Sequence, residues 1–507
     1  MNLKKVLSCL CCLLCIISSR AQQTNLKYNE HHRPQLHFSP AAKWMNDPNG
    51  MVYFQGTYHL FYQHFPGGTT WGPMHWGHAT SKDLVHWQQK PIALYPDSLG
   101  YIFSGSAVAD VNNTSGFGKK GQVPLVAIFT HHDPKGEKEG KENFQNQSIA
   151  YSVDNGNTWT KYAGNPVVKN PGIRDFRDPK VMWFAAGKKW IMTLATKDRI
   201  TFYSSPDLKN WKKESEFGEQ RGAHGGVWEC PDLFPLALNG KTYWVLLVSI
   251  NPGGPNGGSA TQYFIGQFDG HTFKSDQQQT RWIDYGPDNY AGITWSNTGS
   301  RKIFLGWMSN WNYANEVPTD TWRNSATVPR DLGLVNIKGQ ILLTSHPSPE
   351  LNKLAGKPVA IASSEIAKTG SLKVTNHIKL PGQYTLEFKL DKIDSYSIEM
   401  FNDQGEKLIL GYNKAEDRYF IDRTHAGLSG FNPGFAGIAY APRLTAASSG
   451  DLKLVVDASS VELFADQGLT VMTSLFFPAK PYQQLIIKVN KETVVKRLVL
   501  APMKSIW

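Results

Sequence analysis

Four copies of one short motif constrain this chain more than any other feature of it. Ser81-Lys82-Asp83-Leu84-Val85-His86-Trp87 is followed by Ser152-Val153-Asp154-Asn155-Gly156-Asn157-Thr158-Trp159 and by Ser205-Pro206-Asp207-Leu208-Lys209-Asn210-Trp211. Phe268-Asp269-Gly270-His271-Thr272-Phe273 is a looser copy. Each joins an aspartate to a polar turn and an aromatic residue able to close a hairpin and pack between sheets. The aspartates stand 71, 53 and 62 residues apart. Repeats of that length hold about four short strands each, which predicts propeller blades. Runs such as Tyr58-His59-Leu60-Phe61-Tyr62, Leu125-Val126-Ala127-Ile128-Phe129, Trp190-Ile191-Met192-Thr193-Leu194 and Trp244-Val245-Leu246-Leu247-Val248 supply the strands. An all-β, five-bladed propeller is therefore expected over residues 38–345.

The texture changes at the Pro-rich junction Ser345-His346-Pro347-Ser348-Pro349-Glu350. Beyond it, Tyr384-Thr385-Leu386-Glu387-Phe388-Lys389-Leu390, Leu452-Lys453-Leu454-Val455-Val456-Asp457, Val461-Glu462-Leu463-Phe464-Ala465 and Leu485-Ile486-Ile487-Lys488-Val489 alternate apolar and polar residues. That period predicts half-exposed strands and a mainly structural β-sandwich over residues 355–507. At the other end, residues 1–21 read as a signal peptide. Lys4 and Lys5 precede the apolar run from Val6 to Ile17, and Ser19-Arg20-Ala21 forms a cleavage site. Four of the five cysteines lie there, leaving Cys230 alone in an exported chain that must rely on core size rather than on a disulfide. Leu14 is bulky for a lipoprotein signal, so lipid anchoring at Cys15 is not expected. No later run is long enough to cross a bilayer, and stable membrane insertion is not expected either.

The formal charge of +11 falls by three once Lys4, Lys5 and Arg20 are removed. No basic cluster accompanies it, which argues against nucleic-acid binding. The densest charged patch, from His131 to Glu142, mixes signs and reads as a solvated loop. No metal-ligand helix is present; His31, His32 and His37 fall in an irregular N-terminal segment. Neither a metal nor a cofactor is expected. Phe103-Ser104-Gly105-Ser106 lacks the pattern of a hydrolase nucleophile elbow, and nothing beside Cys230 suggests a base, so this thiol reads as a packing residue.

Three carboxylates remain on rigid, aromatic-flanked stretches. Trp44-Met45-Asn46-Asp47-Pro48-Asn49-Gly50 holds Asp47 between two asparagines, with Pro48 excluding the helical region and Gly50 allowing a sharp exit. Read alone, it is an Asx turn before a strand. Arg174-Asp175-Phe176-Arg177-Asp178-Pro179 again sets an Asp before a proline, and Val227-Trp228-Glu229-Cys230-Pro231-Asp232 sets a Glu after a Trp. A propeller gathers its inner strands around one axial funnel, so acids on successive blades can meet there.

These blocks resemble the three signature blocks of glycoside hydrolase family 32, the invertases, inulinases and levanases. Phe61-Tyr62-Gln63, Trp71-Gly72-Pro73-Met74-His75-Trp76-Gly77-His78, Phe103-Ser104-Gly105-Ser106-Ala107 and Trp307-Met308-Ser309-Asn310-Trp311 extend the resemblance over nearly the whole mature chain. It implies a retaining β-fructosidase in which Asp47 is the nucleophile and Glu229 the acid/base. Asp178, with Arg177, would hold the fructosyl hydroxyls and stabilise the transition state. Asn46, Gln63, Trp71, Phe103, Ser104 and Trp311 would line the pocket for the terminal fructose. Such chemistry needs one ionised and one protonated carboxyl about 5–5.5 Å apart. Asp47, amid amide donors, is expected to stay ionised; Glu229, beside Trp228 and other acids, is expected to have a raised pKa. The expected substrates are levan, inulin and sucrose, attacked from the chain end. The competing readings are an endo-acting levanase, a five-bladed arabinose-type glycosidase and a non-catalytic sugar-binding propeller. Loops 131–145 and 251–259 shape the leaving-group side.

Overall fold

In four blades the recurring aspartate closes the same connection, between the third strand and the outermost one. Asp83 Oδ1 accepts from the backbone N–H of Val85 and His86, Asp207 Oδ1 from Lys209 and Asn210, and Asp269 Oδ1 from His271 and Thr272. Asp154 does the same for Thr158, and the serines bond their own aspartates. The aromatic that follows packs backwards onto the preceding blade. Trp159 meets Phe61 edge-on at 5.4 Å, Phe273 meets Phe217 at 4.9 Å, and Trp87 stacks on Trp295 at 6.2 Å. The last pair joins the first blade to the fifth. The fifth blade lacks the motif because Ile337 pairs with Gln340 across a two-residue turn, Lys338-Gly339, with φ of 50° and 88°.

The computed structural model describes residues 28–362, Ile366 and residues 370–507; the expected signal segment and its four cysteines lie outside them. Five antiparallel sheets form a five-bladed propeller. Their innermost strands are Lys43–Phe54, Tyr101–Ala109, Phe176–Phe184, Val227–Leu238 and Tyr290–Thr294. The ring closes where Lys43 and Trp44 run parallel to Trp322 and Arg323, and where Tyr53 N–H donates to Ser296 O. Two six-stranded sheets follow as a β-sandwich around Leu386, Phe388, Met400, Leu410, Leu463 and Ile487. The stretch from His131 to Glu142 is not simply a solvated loop. His131 and His132 end the buried strand Leu125–His132, and Asp133 caps the short helix Pro134–Lys138.

Two sandwich strands, Ser460–Ala465 and Thr470–Leu475, are buried on both faces. Alternation in Val461-Glu462-Leu463-Phe464-Ala465 suggests a solvent-facing Glu462, yet that face lies on the propeller. Phe464 and Val471 join the propeller's Trp44, Trp307 and Ala326 in one apolar cluster. The edge strand Thr470–Leu475 is covered rather than exposed, since Tyr285 and Asp288 donate backbone N–H groups to Val471 O and Thr473 O. At the centre, Glu462 accepts from Arg330 Nε at 3.0 Å and from His37 Nε2 at 2.8 Å, while Arg330 Nη1 reaches Asp284 Oδ2 at 2.8 Å. His37 Nδ1 bonds Asp457 Oδ2 at 2.7 Å. The N-terminal segment that carries His37 is therefore an ordered strap between the two units.

Burial works against charge on the His37 ring, but its bonds to Asp457 and Glu462 outweigh that and raise its pKa to about 9 from 6.5. A raised histidine stabilises the fold fully below the unfolded pKa and ceases to do so as pH rises through the folded one. Thermal melting of the protein is thus expected to lose midpoint temperature between pH 7 and about 10. His37→Gln is expected to flatten that dependence, and an unchanged pH slope in the variant would show that the ring is not the group responsible.

Candidate active site

All five innermost strands carry a one-residue β-bulge at the same level. Met45 to Pro48 spans three steps against two on its neighbour, and so do Ile102 to Gly105, Arg177 to Lys180, Glu229 to Asp232 and Tyr290 to Ile293. A bulge bends the strand and re-aims the side chains next to it. In the last three blades the first bulged residue is left-handed without being glycine: Asp178 at φ 64°, Cys230 at 44° and Ala291 at 51°. That conformation is costly for such residues and is held here by the surrounding sheet. The Asn-Asp-Pro-Asn-Gly stretch is accordingly part of an innermost strand with two irregularities, not a turn before a strand. Gly50, at φ 56°, has no room for a Cβ, which would lie 2.6 Å from the Trp76 ring.

The bulges bring the three acids together. Asp47 Oδ2 accepts from Ser104 Oγ at 2.7 Å and its Oδ1 from Asn46 Nδ2 at 3.0 Å, while Trp44 Nε1 holds the Asn46 oxygen at 2.8 Å. Asp178 Oδ2 accepts from Cys230 N–H at 3.0 Å, and Thr130 Oγ1 accepts from Asp178 N–H at 3.0 Å. The Cys230 thiol lies 3.7 Å from Asp47 Oδ2 and 3.6 Å from Asp178 Oδ2, so it bridges two of the acids rather than merely filling space. Arg177, Glu229 and Tyr290 occupy one equivalent position in three successive blades. Arg177 donates from Nε and Nη2 to Glu229 Oε1 at 3.1 and 2.9 Å, and the Tyr290 hydroxyl donates to Oε2.

Arg177 therefore serves Glu229 and Asp175 (2.6 Å) directly and reaches Asp178 only at 4.0 Å, whereas its position in the sequence suggests Asp178 as the partner. Trp228 is also not the neighbour that the sequence suggests. Its ring is fully buried in the blade, 6.0 Å from Phe264, with Nε1 donating to Ala223 O. Asp47, expected to stay ionised because of its amide donors, has its pKa raised to about 6. Burial is the main cause, the Glu229 charge adds to it, and the bonds from Ser104 and Asn46 only partly offset it. Burial likewise pushes Asp178 up; Arg177 opposes, and Glu229 and Asp47 reinforce. The cluster thus keeps a proton where three isolated carboxylates would not.

Aromatic rings flank the acids. Phe103 stacks on His132 at 4.2 Å and meets the exposed Trp71 edge-on at 6.1 Å. The Trp311 ring lies 6.0 Å from Trp44, and the Trp311 backbone N–H donates to Ser259 Oγ at 3.1 Å. Gln63 is buried, but among the described residues its Nε2 has no partner and no recorded contact joins it to the acids. Tyr290, Thr130 and the bridging role of Cys230 escape sequence reading. Tyr290 belongs to the blade without the repeat motif, and only its register against Glu229 singles it out.

Two family models match the chain: the glycosyl hydrolases family 32 N-terminal domain over residues 37–347 and the family's C-terminal domain over 350–502. A levanase of Bacillus subtilis is 46% identical over 498 residues, covering 95% of this chain and 72% of that protein. An extracellular exo-inulinase of Aspergillus awamori is 41% identical, over 89% of this chain and 90% of its own length. Among solved structures, a β-fructofuranosidase of Schwanniomyces occidentalis complexed with fructosyl-erythritol superposes with a TM-score of 0.85 at 32% identity. That match covers 94% of this chain and 99% of that one.

Burial and the flanking Asp178 and Asp47 push the Cys230 thiol well above its ordinary pKa, and a thiol reacts through its thiolate. In protein lacking residues 1–21, Cys230 is expected to resist Ellman's reagent at pH 8 until guanidinium is added. Prompt modification of the native form would place the thiol outside the cluster.

Proposed function

The chain belongs to glycosyl hydrolase family 32 and is a glycosidase, and from that premise we propose that it removes terminal β-D-fructofuranosyl units from fructans and sucrose by double displacement. The observation that carries the reading is the convergence of Asp47, Asp178 and Glu229 on one bulged ring, with a single guanidinium and a tyrosine hydroxyl on Glu229. Asp47 is the nucleophile: Ser104 and Asn46 fix its two oxygens, so it meets the anomeric carbon in one orientation. Glu229 gives its proton to the leaving oxygen and then takes one from the attacking water. Its Oε1 is held by Arg177, leaving Oε2, on which Tyr290 sits, to face the reaction. Asp178 binds ring hydroxyls and supports the positive charge that develops on the sugar. Arg177 acts on Glu229 more than on the substrate.

In this reading Asn46, Gln63, Trp71, Phe103, Ser104 and Trp311 make the fructosyl pocket. Trp71 and Phe103 offer faces to the CH groups of the sugar. The propeller of residues 38–345 carries the chemistry and the sandwich of 355–507 supports it. Attack from the chain end is favoured by the fixed wall beside Trp311. Loop 251–259 is tied there by Ser259, and its Asn256 donates to Tyr285 O of the propeller at 2.6 Å and to Tyr440 O of the sandwich at 2.9 Å. An exported location fits the extracellular relatives; among the described residues no helix is long and apolar enough to cross a membrane.

Asp47→Asn and Glu229→Gln are each expected to abolish fructose release from levan and inulin without unfolding the protein. Azide should restore turnover of an activated fructoside only to Glu229→Ala. Full activity in either acid variant would remove the assignment, and early oligosaccharide ladders in place of free fructose would convert it to endo-action. Because the nucleophile must be ionised and the Asp47 pKa is raised to about 6, kcat/KM is expected to fall as pH drops below about 6, rather than near 4 as for an ordinary Asp. Ser104→Ala removes a bond that favours the ionised form and should move that limb to higher pH.

A further inference from the structure

One aromatic wall of the fructosyl pocket takes its plane from a residue outside the pocket. His132 ends the strand Leu125–His132 and is buried. Its Nε2 lies 3.1 Å from Glu137 Oε2, on the short helix Pro134–Lys138, and its Nδ1 is met by Gln145 Nε2 at 3.4 Å. Gln145 is itself oriented: its Oε1 accepts from Phe176 N–H at 2.9 Å and faces Arg177 Nη1 at 3.5 Å, which turns its amide donors to the histidine. A donor on Nδ1 and a carboxylate on Nε2 select the neutral ring with its proton on Nε2. Burial favours that uncharged form and lowers the pKa; Glu137 and Asp133 oppose it, and Arg177 assists. Phe144 closes on the ring edge-on at 5.3 Å. The imidazole is thus held at both nitrogens and has one orientation.

Phe103 has less support of its own. Its carbonyl is fixed by Trp76 Nε1, which donates to it at 3.0 Å, but its ring is only half-buried. The other ring against it, Trp71, meets it edge-on at 6.1 Å and is itself exposed. The His132 ring lies parallel to it, 4.2 Å away between centroids and 9° between planes. A surface for sugar CH groups contributes most when its plane is set before the sugar arrives, because ordering a side chain on binding costs affinity. We propose, on the fructosidase reading above, that His132 is a positioning residue for substrate binding. Its stacked imidazole holds Phe103 in the plane on which the fructosyl group rests, and Glu137 and Gln145 hold the imidazole. His132 acts through Phe103 rather than on the sugar, and the helix Pro134–Lys138 reaches the pocket by way of this stack.

The test compares His132→Phe and His132→Gln with the unaltered enzyme by initial rates of fructose release from 1-kestose. Phe keeps a flat ring and loses both nitrogen contacts, leaving the half-exposed Glu137 to solvent; Gln keeps a polar group for Glu137 and loses the ring. His132→Gln is expected to raise KM about fivefold, the order of one lost aromatic stack, with kcat within about twofold. His132→Phe is expected to keep both constants within about twofold. If His132→Gln does not fold, His132→Leu, apolar but without a ring, carries the same expectation. In a Phe103→Ala background, His132→Gln is expected to raise KM no further, since a residue acting through another is silent once that other is gone. A role in folding alone would lower the active fraction, and with it kcat, at constant KM. The proposal is overturned by a loss confined to kcat, by a higher KM in His132→Phe than in His132→Gln, or by a full KM effect that persists without Phe103. An active enzyme whose KM ignores both substitutions removes this role alone; an unaltered enzyme that releases no fructose removes the fructosidase reading and this role with it.

Discussion

A one-residue bulge repeated in all five innermost strands is the constraint on which the rest of the structure depends. Without it, each inner strand would run straight down the funnel with its side chains alternating between blade faces. With it, an extra residue in each blade turns toward the axis, and positions separated by about fifty residues become neighbours in a ring. The backbone strain at Asp178, Cys230 and Ala291 is part of that arrangement. Blade-to-blade contacts such as Trp159 on Phe61 and Trp87 on Trp295 hold the ring closed against it.

Three stacked layers follow. Arg177, Glu229 and Tyr290 form the first, a hydrogen-bonded arc across three blades. The bulged residues, with Asp47, Asp178 and Cys230, form the second. Lys180 and Asp232 form the third and seal the axis. Along this line lie a cation on Glu229, then two carboxyls whose pKa values burial and neighbouring acids raise, then an internal ion pair. Because the carboxyls are crowded, the cluster keeps a proton at a pH where exposed acids would have lost theirs. The crowding comes from packing rather than from any one residue.

The sandwich contributes through its contact with the propeller. Arg330, His37, Asp284, Asp457 and Glu462 make a buried ionic network at the junction. Removing one partner from such a network leaves uncompensated charge, a cost of about 3–5 kcal/mol. The network fixes the angle between the two units and thereby the position of loop 251–259 beside Trp311.

The sequence alone determined the strand-rich character, the repeat and the blade count, because a turn that an aspartate must cap and an aromatic must close leaves a local trace at each recurrence. It also picked out Asp47, Asp178 and Glu229, since acids on Pro-fixed stretches between aromatics are visible without coordinates. Only the tertiary structure decided how those acids are partnered. The bulge pairs Asn-Asp, Phe-Ser, Asp-Pro, Cys-Pro and Ala-Gly share no chemistry, so their equivalence cannot be seen until the strands are in register. For the same reason Tyr290 was invisible, Arg177 was assigned to its sequence neighbour, and Trp228 was credited with a contact that strand alternation forbids. Glu462 reads as a surface residue because alternation records which faces differ, not what covers them, and His37 stands in a segment without any period to place it. Electrostatics followed the same division. Amide donors beside Asp47 are local and readable, but the burial that outweighs them is the sum of five blades closing around one axis.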